Sequence, residues 1–194
     1  SQAPLARLER AAMIYFGVPS YGVHVNGYVP GSGNGTGGAA GGRVWIGVRS
    51  PSKATYPGLL DQIAAGGQPS GLTFKANVLK ECAEEASIPQ DLLRLMRPAG
   101  LVSYRYSTAK GLSTKFLAVY DLPLPADFVP FNGDGEVDEF MLIPTEEALA
   151  SVRDTPQRWK PNAGLVMIDF ALRHGLIDAD DPEYVDLCHL LRAG

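Results

Sequence analysis

Alternation of apolar and polar side chains predicts five strands along this chain. The alternating segments are residues 21–29, 43–48, 100–107, 114–122 and 136–143. A strand turns successive side chains to opposite faces of its sheet, so a period of two is typical of strands. Between the first two segments, residues 30–42 contain seven glycines and predict a mobile hairpin loop without a core of its own.

Helical spacing and capping residues predict helices before, between and after these strands. They span residues 5–16, 73–86, 146–153, 163–174 and 182–191, with a single helical turn at 92–95. Thr73 and Thr145 are the predicted N-caps of the second and third helices, because their hydroxyls can accept a hydrogen bond from a free backbone N–H. Gly175 is the predicted end of the fourth helix. The pattern predicts a layered α/β or α+β domain.

The length of 194 residues and the mass of 20.7 kDa fit one domain, spanning residues 1–194. Residues 1–20 are interpreted as the N-terminal helix of that domain and as a candidate remnant of a longer N-terminal region. The chain begins with serine rather than methionine, so a targeting segment could precede it.

The charge and hydropathy of the chain argue against two classes of partner. It has 17 Lys and Arg residues against 21 Asp and Glu residues, a net charge of -4, whereas a general nucleic-acid surface needs a basic balance. No run of about 18 apolar residues is present, so we expect no membrane span. Two cysteines, Cys82 and Cys188, are too few for a disulfide framework and favour a reducing compartment. We therefore expect a cytoplasmic protein, or one in an organelle lumen if a transit peptide preceded residue 1.

Three glutamates gather on one side of the predicted helix 73–86. Glu81 lies at spacings i,i+3 and i,i+4 from Glu84 and Glu85, so their side chains are neighbours. Like charges at these spacings oppose helix formation by roughly a few tenths of a kcal/mol per pair, and a hard divalent cation is their natural counter-charge. The preceding glycine-rich loop lets the backbone approach a ligand closely. The alternative is an ordinary solvated acidic face.

The loop and helix at residues 66–88 resemble the Nudix box, G-x5-E-x7-R-E-U-x-E-E-x-G-U, where U is a bulky aliphatic residue. The stretch reads GGQPSGLTFKANVLKECAEEASI, and alignment from Gly66 matches the first glycine and the three core glutamates. Leu72 replaces the first glutamate, Lys80 replaces the arginine and Ser87 replaces the last glycine. Lysine cannot orient a carboxylate through the bidentate fork that arginine offers.

The flanking sequences resemble one Nudix subgroup over roughly residues 10–177. They include YGVHVNGYV, RSPSKATYPGLLDQIAAGG and KPNAGLVMIDFALRHG. In that subgroup the domain is fused or related to thiamine pyrophosphokinase, and members hydrolyse thiamine diphosphate and its damaged analogues. The resemblance implies a Nudix fold, in which a mixed β-sheet is sandwiched between α-helices.

The resemblance also implies a divalent metal site. In it Glu81, Glu84 and Glu85 bind Mg²⁺ or Mn²⁺ together with the backbone carbonyl of Gly66 or Gly67. The metal would neutralise the diphosphate of a small-molecule substrate and activate a water for attack. The same three glutamates are then the expected catalytic residues.

Nudix enzymes usually need one more carboxylate from outside the box, as a base or an additional ligand. The stretch DGEVDEF offers Glu136 and Glu139, and Glu136 is favoured as the fourth catalytic residue. In a regular strand over residues 136–143 the two side chains point to opposite faces, so both can enter the site only if the strand contains a bulge. Solvated charges at the strand entrance are the alternative.

Four residues are candidates for substrate binding. Arg49 and Lys53 follow a strand, and a similar pair in the related isopentenyl diphosphate isomerases contacts the substrate diphosphate; two cations suit a polyanion. Tyr104 and Tyr106 share a strand face and can stack on a heteroaromatic ring. Ordinary surface cations and plain sheet packing are the respective alternatives. Isomerase activity itself is not expected, because residues 64–68 lack the catalytic cysteine and histidine of those enzymes.

Two histidines and one cysteine are interpreted as structural. His24 lies in an alternating strand and is expected to be a satisfied core or rim residue rather than a ligand. Cys82 lies on the apolar side of its helix and is expected to be a buried small residue rather than a nucleophile. His174, near a helix C-terminus, is expected to offset the helix dipole.

These features predict a Mg²⁺-dependent pyrophosphohydrolase, with thiamine diphosphate or its damaged analogues as the substrate that the resemblance implies. One alternative is a non-catalytic module that binds a diphosphate ligand, favoured by Leu72 and Lys80 at two box positions. The other is a broad house-cleaning hydrolase of nucleoside diphosphate derivatives. Homodimerisation is also left open.

Overall fold

The computed structural model describes residues 8–31 and 38–193, which form a mixed sheet with helices on both sides. The strands are β1 (Ser20–Val29), β2 (Arg43–Arg49), β3 (Leu60–Gln62), β4 (Ala64–Gly67), β5 (Arg97–Thr108), β6 (Gly111–Pro123) and β7 (Val137–Pro144). The α-helices are α1 (Phe74–Ala86), α2 (Gln90–Leu93), α3 (Thr145–Asp154), α4 (Pro161–Arg173) and α5 (Tyr184–Leu190), and two 3₁₀-helices span Arg10–Phe16 and Pro156–Arg158. The expected mixed architecture is confirmed. None of the helices in the described ranges combines the length and apolarity needed to cross a bilayer.

Strand β1 lies at the centre of the sheet. It runs parallel to β6, with Tyr21 opposite Phe116, and antiparallel to β4 and to the start of β2. The main order is β3-β2-β1-β6-β5, while β4 also pairs with β1 and β7 pairs with β2. Helices cover both faces, so the polar positions His24 and Asn26 are as buried as the apolar ones. Alternation therefore predicted the strand but not the burial of its polar face.

Helix α1 packs on one face of the sheet through an apolar stripe. The fully buried side chains of this contact are Val78, Cys82, Ala86, Val23 and Val25. Burial of an aliphatic side chain of this size contributes about 1.5–3 kcal/mol, which fixes the helix on the sheet. The helix begins as predicted, because the Thr73 hydroxyl accepts a hydrogen bond from the Ala76 N–H (3.1 Å). Burial raises the pKa of the Cys82 thiol to about 12, in keeping with a packing role.

Helix α4 covers the opposite face. Its largest cluster contains Ala163, Met167 and Phe170 from the helix, together with Tyr28, Ile46 and Trp159. The helix begins at Pro161, whose missing N–H is tolerated in a first turn. Its last residue is Arg173, and its C-cap His174 is followed by Gly175 with a left-handed φ of +68°. The helix predicted over residues 163–174 is confirmed, although it starts slightly earlier.

A buried ion network ties the end of α4 to β6. Asp121 accepts hydrogen bonds from Arg173 (3.0 Å) and Asn26 (3.0 Å), and His174 Nε2 lies 3.0 Å from its Oδ2. Arg173 also donates to Asp169 (2.8 Å). Burial alone would raise the pKa of Asp121, but His174 and Arg173 outweigh it and lower that pKa. His174 is therefore the partner of a buried carboxylate, beyond its expected effect on the helix dipole.

The turn after α5 is attached to the sheet. Leu191 is buried, and its carbonyl accepts a hydrogen bond from the Ser103 N–H of β5 (2.9 Å). Ser103 and Arg192 form a parallel bridge, and the Arg192 guanidinium lies 2.5 Å from Asp169. Edge strand β5 thus gains a neighbour at its midpoint.

Several predicted helix boundaries are wrong. A 3₁₀-helix at Arg10–Phe16 replaces the regular helix, and residues 5–7 lie outside the described part of the chain. Thr145 is the first residue of α3 rather than its N-cap, and its buried hydroxyl has no hydrogen-bond partner in the described structure. The predicted turn at 92–95 is α2, two residues earlier, and the last helix is shorter than 182–191.

The five predicted strands are present in the structure, whereas two short strands, β3 and β4, were not predicted. The hairpin predicted across residues 30–42 is confirmed by the pairing of Tyr28 with Val44, although residues 32–37 lie outside the described ranges, so the predicted mobility stays untested. Alternation does not predict β3 and β4, because segments of three and four residues are too short to show a period.

Ser87 ends α1 with a left-handed backbone (φ +48°) at the position where the Nudix box has glycine. That conformation costs a residue with a Cβ atom about 1–2 kcal/mol, partly offset by the greater freedom of glycine in the unfolded chain. We expect Ser87→Gly to raise the free energy of unfolding by about 0.5–1 kcal/mol, measured as a higher denaturant midpoint at unchanged m-value.

The matched control is Ala83→Gly, at an exposed position inside α1. Glycine there should lower the free energy of unfolding by about 1 kcal/mol. A lower midpoint for Ser87→Gly as well would contradict the assignment of strain to residue 87.

Candidate active site

Glu85 is the buried member of the glutamate trio. Its side chain is 6% exposed, and its Oε2 accepts a hydrogen bond from the Ala65 N–H of β4 (2.8 Å). Burial raises the pKa of Glu85 to about 8; the Ala65 hydrogen bond opposes this shift, while the charges of Asp61 and Glu81 add to it. The ionised carboxylate is therefore costly here without further positive charge.

Glu81 lies against the backbone of Gly66. A Cβ atom on residue 66 would lie 2.2 Å from the Glu81 carboxyl carbon and 2.4 Å from its Oε1, so only glycine fits there without a shift of the glutamate. Burial also raises the pKa of Glu81, while Lys80, with its Nζ 3.5 Å from Oε1, lowers it. The structure thus brings together the box glycine and the first glutamate of the predicted trio.

Glu84 is the exposed member of the trio. Its Oε2 lies 2.5 Å from Nζ of Lys80, which also faces Glu81. Lys80 stands at the arginine position of the box and acts as a local counter-charge for both carboxylates. Since the Lys80 and Glu84 side chains are nearly half exposed, solvent weakens the pair. Glu84 can therefore exchange its partner at little cost.

Glu136 is the carboxylate that reaches the trio from outside the helix. Its side chain forms an ion pair with Lys53, and its backbone carbonyl accepts a hydrogen bond from the Ser50 N–H (2.9 Å). Lys53 is the main cause of the lowered pKa of Glu136, and the neighbouring Glu85 carboxyl group contributes. The loop after β2 and the start of β7 are thereby joined at the site.

Between the two predicted candidates, the start of β7 contains the β-bulge that both would need to share one face. The register between β2 and β7 shifts so that Asp138 is the extra residue. Glu136 lines a small cavity together with Glu85, whereas Glu139 lies opposite Val48 in the ladder and is not part of the cavity wall. The geometry therefore favours Glu136.

Arg49 lines the same cavity, but protein groups engage its guanidinium. Its Nε donates to the Tyr56 carbonyl (3.0 Å), its Nη2 to the Thr55 carbonyl (2.9 Å) and its Nη1 to Asp61 Oδ2 (3.0 Å). These bonds use three of the five N–H donors of a guanidinium. Arg49 therefore anchors the loop 50–58, and its contact with a substrate stays a prediction.

Asp61 is a buried carboxylate that sequence reasoning missed. Lys160 places its Nζ 2.7 Å from Oδ2, the oxygen that also binds Arg49. Burial alone would raise the pKa of Asp61, but Lys160 and Arg49 are among the charges that outweigh it and lower that pKa. The available signal was the run LLDQIAA, because a lone acid among apolar residues needs a buried partner.

His24 is a satisfied core residue, as expected. Its Nδ1–H donates to Gln62 Oε1 (2.6 Å), and its Nε2 accepts from the Asn162 side-chain amide (3.1 Å). The Gln62 amide in turn donates to the Ala163 carbonyl (2.8 Å), which orients the pair. Burial, followed by the charge of Lys160, lowers the pKa of His24 to about 4, so the imidazole is neutral.

Tyr104 and Tyr106 form a stacked pair on β5. Their ring centroids lie 6.0 Å apart at an interplanar angle of 19°. Tyr104 is half-buried and packs against the Val102 cluster, whereas Tyr106 is exposed. Burial raises the pKa of Tyr104, and the hydroxyls of Tyr106 and Tyr56 contribute. The predicted sharing of one strand face is therefore real, while the binding role stays a prediction.

The site contains the oxygen ligands that a hard cation prefers, but its described side chains are not yet arranged around a cation. In residues 8–31 and 38–193, no group of three or more His, Cys, Asp or Glu side chains is already arranged to hold a metal ion. Lys53 and Lys80 instead hold two of the carboxylates. Carboxylate and carbonyl oxygens are the ligands that Mg²⁺ prefers, and the contact of Glu81 with Gly66 brings both kinds together. The residues fit a divalent cation once the lysines are displaced.

Sequence comparison finds relatives that cover nearly all of this chain, although no family model matches it. The chain is 46% identical to Nudix hydrolase 24, chloroplastic, of Arabidopsis thaliana over 187 residues, which are 96% of this chain and 49% of the relative. It is 36% identical to an uncharacterized protein of Saccharomyces cerevisiae, over 96% of this chain and 56% of that protein. The chain thus spans about half the length of the curated relatives it matches.

Solved structures share the architecture. A protein from Deinococcus radiodurans aligns with a TM-score of 0.54 at 24% identity, over 76% of this chain and 80% of that chain. A Nudix hydrolase from Alicyclobacillus acidocaldarius aligns with a TM-score of 0.55 at 12% identity, over 77% of this chain and 89% of that chain. This chain has the Nudix fold. Along nearly its whole length the chain is also similar to relatives that are named Nudix hydrolases.

The location of this Nudix domain stays a prediction. Two Arabidopsis relatives are named chloroplastic, which is compatible with the organelle alternative and does not decide against the cytoplasm.

Burial of neutral His24 makes the stability of the Nudix domain depend on pH. Its folded pKa of about 4 lies below the ordinary value of 6.5, so the unfolded chain binds more protons between these values. The free energy of unfolding therefore falls as the pH drops from 6.5 to 4, by about 3 kcal/mol for this group at about 1.4 kcal/mol per pKa unit. We expect His24→Gln, which can donate and accept similar hydrogen bonds, to remove that part of the difference in denaturant stability between pH 7 and pH 4.

His189→Gln, at an exposed position of α5, removes one histidine without touching the core and should leave the pH dependence unchanged. The same loss of stability in wild type and His24→Gln would contradict a neutral buried imidazole.

Proposed function

We propose that this Nudix domain is a divalent-metal-dependent pyrophosphohydrolase. It cleaves the diphosphate bond of a small molecule by water attack and releases a monophosphate and inorganic phosphate. The observation that carries the proposal is the convergence of Glu81, Glu85 and Glu136 beside Gly66, where burial and mutual repulsion raise the pKa values of Glu81 and Glu85. A divalent cation relieves such crowding and at the same time attracts a polyanionic diphosphate.

The proposed ligands for Mg²⁺ or Mn²⁺ are carboxylate and carbonyl oxygen atoms around the acidic cluster. They belong to Glu81, Glu84, Glu85, Glu136 and the backbone carbonyl of Gly66. A cation there supplies charge neutralisation and water activation. The chain itself contributes a rigid helix that presents three of the carboxylates together, and two lysines that hold the outer carboxylates in place beforehand.

Glu136 is the proposed proton acceptor. Lys53 lowers its pKa, so the carboxylate is ionised at neutral pH and can accept a proton from the attacking water at Oε1 or Oε2. Glu85 differs, because burial raises its pKa to about 8. The free protein therefore holds a proton on Glu85 at neutral pH, and added positive charge favours its release.

Lys53 is the proposed diphosphate ligand. It lies on the loop 50–58, and its ammonium group faces Glu136 at the edge of the cavity. Phosphate oxygens can replace the carboxylate as its partner, since both are anionic acceptors. Arg49 adds positive potential to the same cavity and retains two N–H groups beyond its three protein contacts.

Thiamine diphosphate and its damaged analogues are the proposed substrates. The support is the subgroup resemblance over roughly residues 10–177 and the aromatic surface of Tyr104 and Tyr106. A nucleoside diphosphate derivative is the alternative within the same reaction class. The NUDIX domain of Shewanella oneidensis NrtR, complexed with ADP ribose, shares the fold with a TM-score of 0.50 at 14% identity, and that likeness extends to the fold alone.

A non-catalytic binding module is the second candidate function. Leu72 stands at the first glutamate position of the box, and the loop is held there by a hydrogen bond from Gln68 to the Leu72 carbonyl (2.7 Å). A module of this kind would bind a diphosphate without turning it over.

Phosphate release from thiamine diphosphate and its oxidised analogues in the presence of Mg²⁺ tests the proposal. We expect Glu85→Gln to lower kcat by about 100-fold or more, because it removes a negative charge that the metal ion needs. Chelation of the metal should have a similar effect. The matched control is Glu147→Gln, an exposed position of α3, which should stay within about twofold of wild type. Glu136→Gln and Glu139→Gln, compared under the same conditions, identify the extra carboxylate.

Three outcomes would overturn parts of the proposal. Equal rates in wild type and Glu85→Gln would remove the metal role of the trio. Calorimetric binding of thiamine diphosphate without phosphate release would select the binding module. A strong preference for nucleotides or sugar nucleotides in a substrate panel would replace the thiamine assignment with the broad hydrolase.

A further inference from the structure

Asn77 is a fully buried polar residue of α1, one helical turn before Glu81. Its side-chain amide donates a hydrogen bond to the Gly67 carbonyl at the end of β4 (3.1 Å). Its Oδ1 is buried and has no hydrogen-bond partner in the described part of the chain. Burial of an amide oxygen without a partner is costly, and asparagine has a lower helix propensity than leucine or alanine. Stability alone would therefore favour an apolar side chain at this position.

A row of three side chains on α1 faces β4, and its members are Asn77, Glu81 and Glu85. They are spaced four residues apart, so they are neighbours along one side of the helix. Each of them contacts a different residue of the strand, and in the same order these residues are Gly67, Gly66 and Ala65. The polar side of α1 and the backbone of β4 are therefore in register with each other.

Hydrogen bonds from this row hold β4 on both sides of Gly66, whose carbonyl is the proposed backbone ligand. Glu85 accepts the Ala65 N–H (2.8 Å), and Asn77 donates to the Gly67 carbonyl. Glu85 is itself a proposed metal ligand, so its contacts can change when a cation binds. The amide of Asn77 is neutral and does not titrate. Its bond to Gly67 therefore needs neither the cation nor a particular protonation state.

We propose that Asn77 is a positioning residue of the metal site. By holding the Gly67 carbonyl, it fixes the backbone of Gly66 beside Glu81 before a cation binds. The inference rests on the proposed function, because it assumes a divalent cation at the acidic cluster. The same bond engages the Gly67 carbonyl with a protein donor, which favours Gly66 over Gly67 as the backbone ligand. Outer residues that orient metal ligands typically contribute about 10- to 100-fold to metal affinity.

Titration of this chain with Mn²⁺ in the absence of substrate, followed by electron paramagnetic resonance, tests the proposal. Asn77→Leu keeps a similar size and lacks the donor, so it should weaken Mn²⁺ binding by about tenfold or more. Its denaturant midpoint should stay the same or rise, because the unpaired Oδ1 is gone and the carbonyl of exposed Gly67 can bind water instead. A merely structural Asn77 would give the reverse, a lower midpoint with unchanged Mn²⁺ affinity.

Asn77→Ala separates the lost hydrogen bond from altered packing, because it removes the same donor and leaves space behind. Similar weakening of Mn²⁺ binding in both variants supports the role of the hydrogen bond, whereas weakening in Asn77→Leu alone would assign the effect to packing and overturn the proposal. The matched control is Thr145→Val. Thr145 is equally buried, its hydroxyl has no partner in the described structure, and it lies at the start of α3. This variant should bind Mn²⁺ as wild type does.

Hydrolysis at increasing Mg²⁺ concentration gives a second readout. Asn77→Leu keeps every proposed metal ligand, so excess Mg²⁺ should restore most of its rate, whereas Glu85→Gln lacks a ligand and should stay impaired. A deficit of Asn77→Leu that persists at saturating Mg²⁺ would contradict a role through metal affinity.

The two proposals fail in distinguishable ways. Wild-type Mn²⁺ affinity in both Asn77 variants would overturn the positioning role and leave the proposed hydrolysis standing. A wild-type chain that binds Mn²⁺ in an Asn77-dependent way but releases no phosphate would overturn the hydrolysis and still support the positioning role. A wild-type chain that binds no Mn²⁺ would overturn both.

Discussion

The hydrogen bond from the Ala65 amide to the Glu85 carboxylate is the contact on which the organisation of the site depends. It joins α1 to β4 where the glutamates are, and it can form because the apolar stripe of α1 lies flat on β1. Glu81 is one helical turn earlier, so the same docking sets its carboxylate against Gly66. A buried carboxylate with a single backbone donor is poorly stabilised, and the raised pKa of Glu85 is the result.

In the described part of the chain, the cations near this carboxylate pair with other acidic groups. Arg49 and Lys160 are the cations near the interior of the site, and both bind Asp61. Lys53 pairs with Glu136, and Lys80 pairs with Glu84 and Glu81. The buried Glu85 carboxylate therefore still needs positive charge, while the lysines at the edge of the site can bind an anion. That division suits a cation and a polyanion bound side by side.

Sequence patterns predicted those parts of the fold that depend on local periodicity. The long strands, α1 with its Thr73 cap, and the adjacency of Gly66 to the glutamates all follow from spacing and from the box. The cap at Thr145 was wrong, since tertiary burial of that residue overrode the local preference. The partners of Arg49 could not be predicted, because its three contacts depend on how the chain folds back after residue 50. Strand period alone left Glu136 and Glu139 undecided, and only the folded structure shows the bulge at Asp138 and the place of Glu136 in the cavity wall.

The attachment of the turn after α5 to β5 has a consequence for association between chains. An edge strand exposes backbone N–H and C=O groups that a second molecule can pair with, which is a common route to aggregation. Here the Leu191 carbonyl already accepts the Ser103 amide, and Arg192 is fastened to Asp169 beside it. A long, uninterrupted intermolecular ladder along β5 is thereby blocked at its midpoint, so the last turn protects the solubility of the sheet as well as its packing.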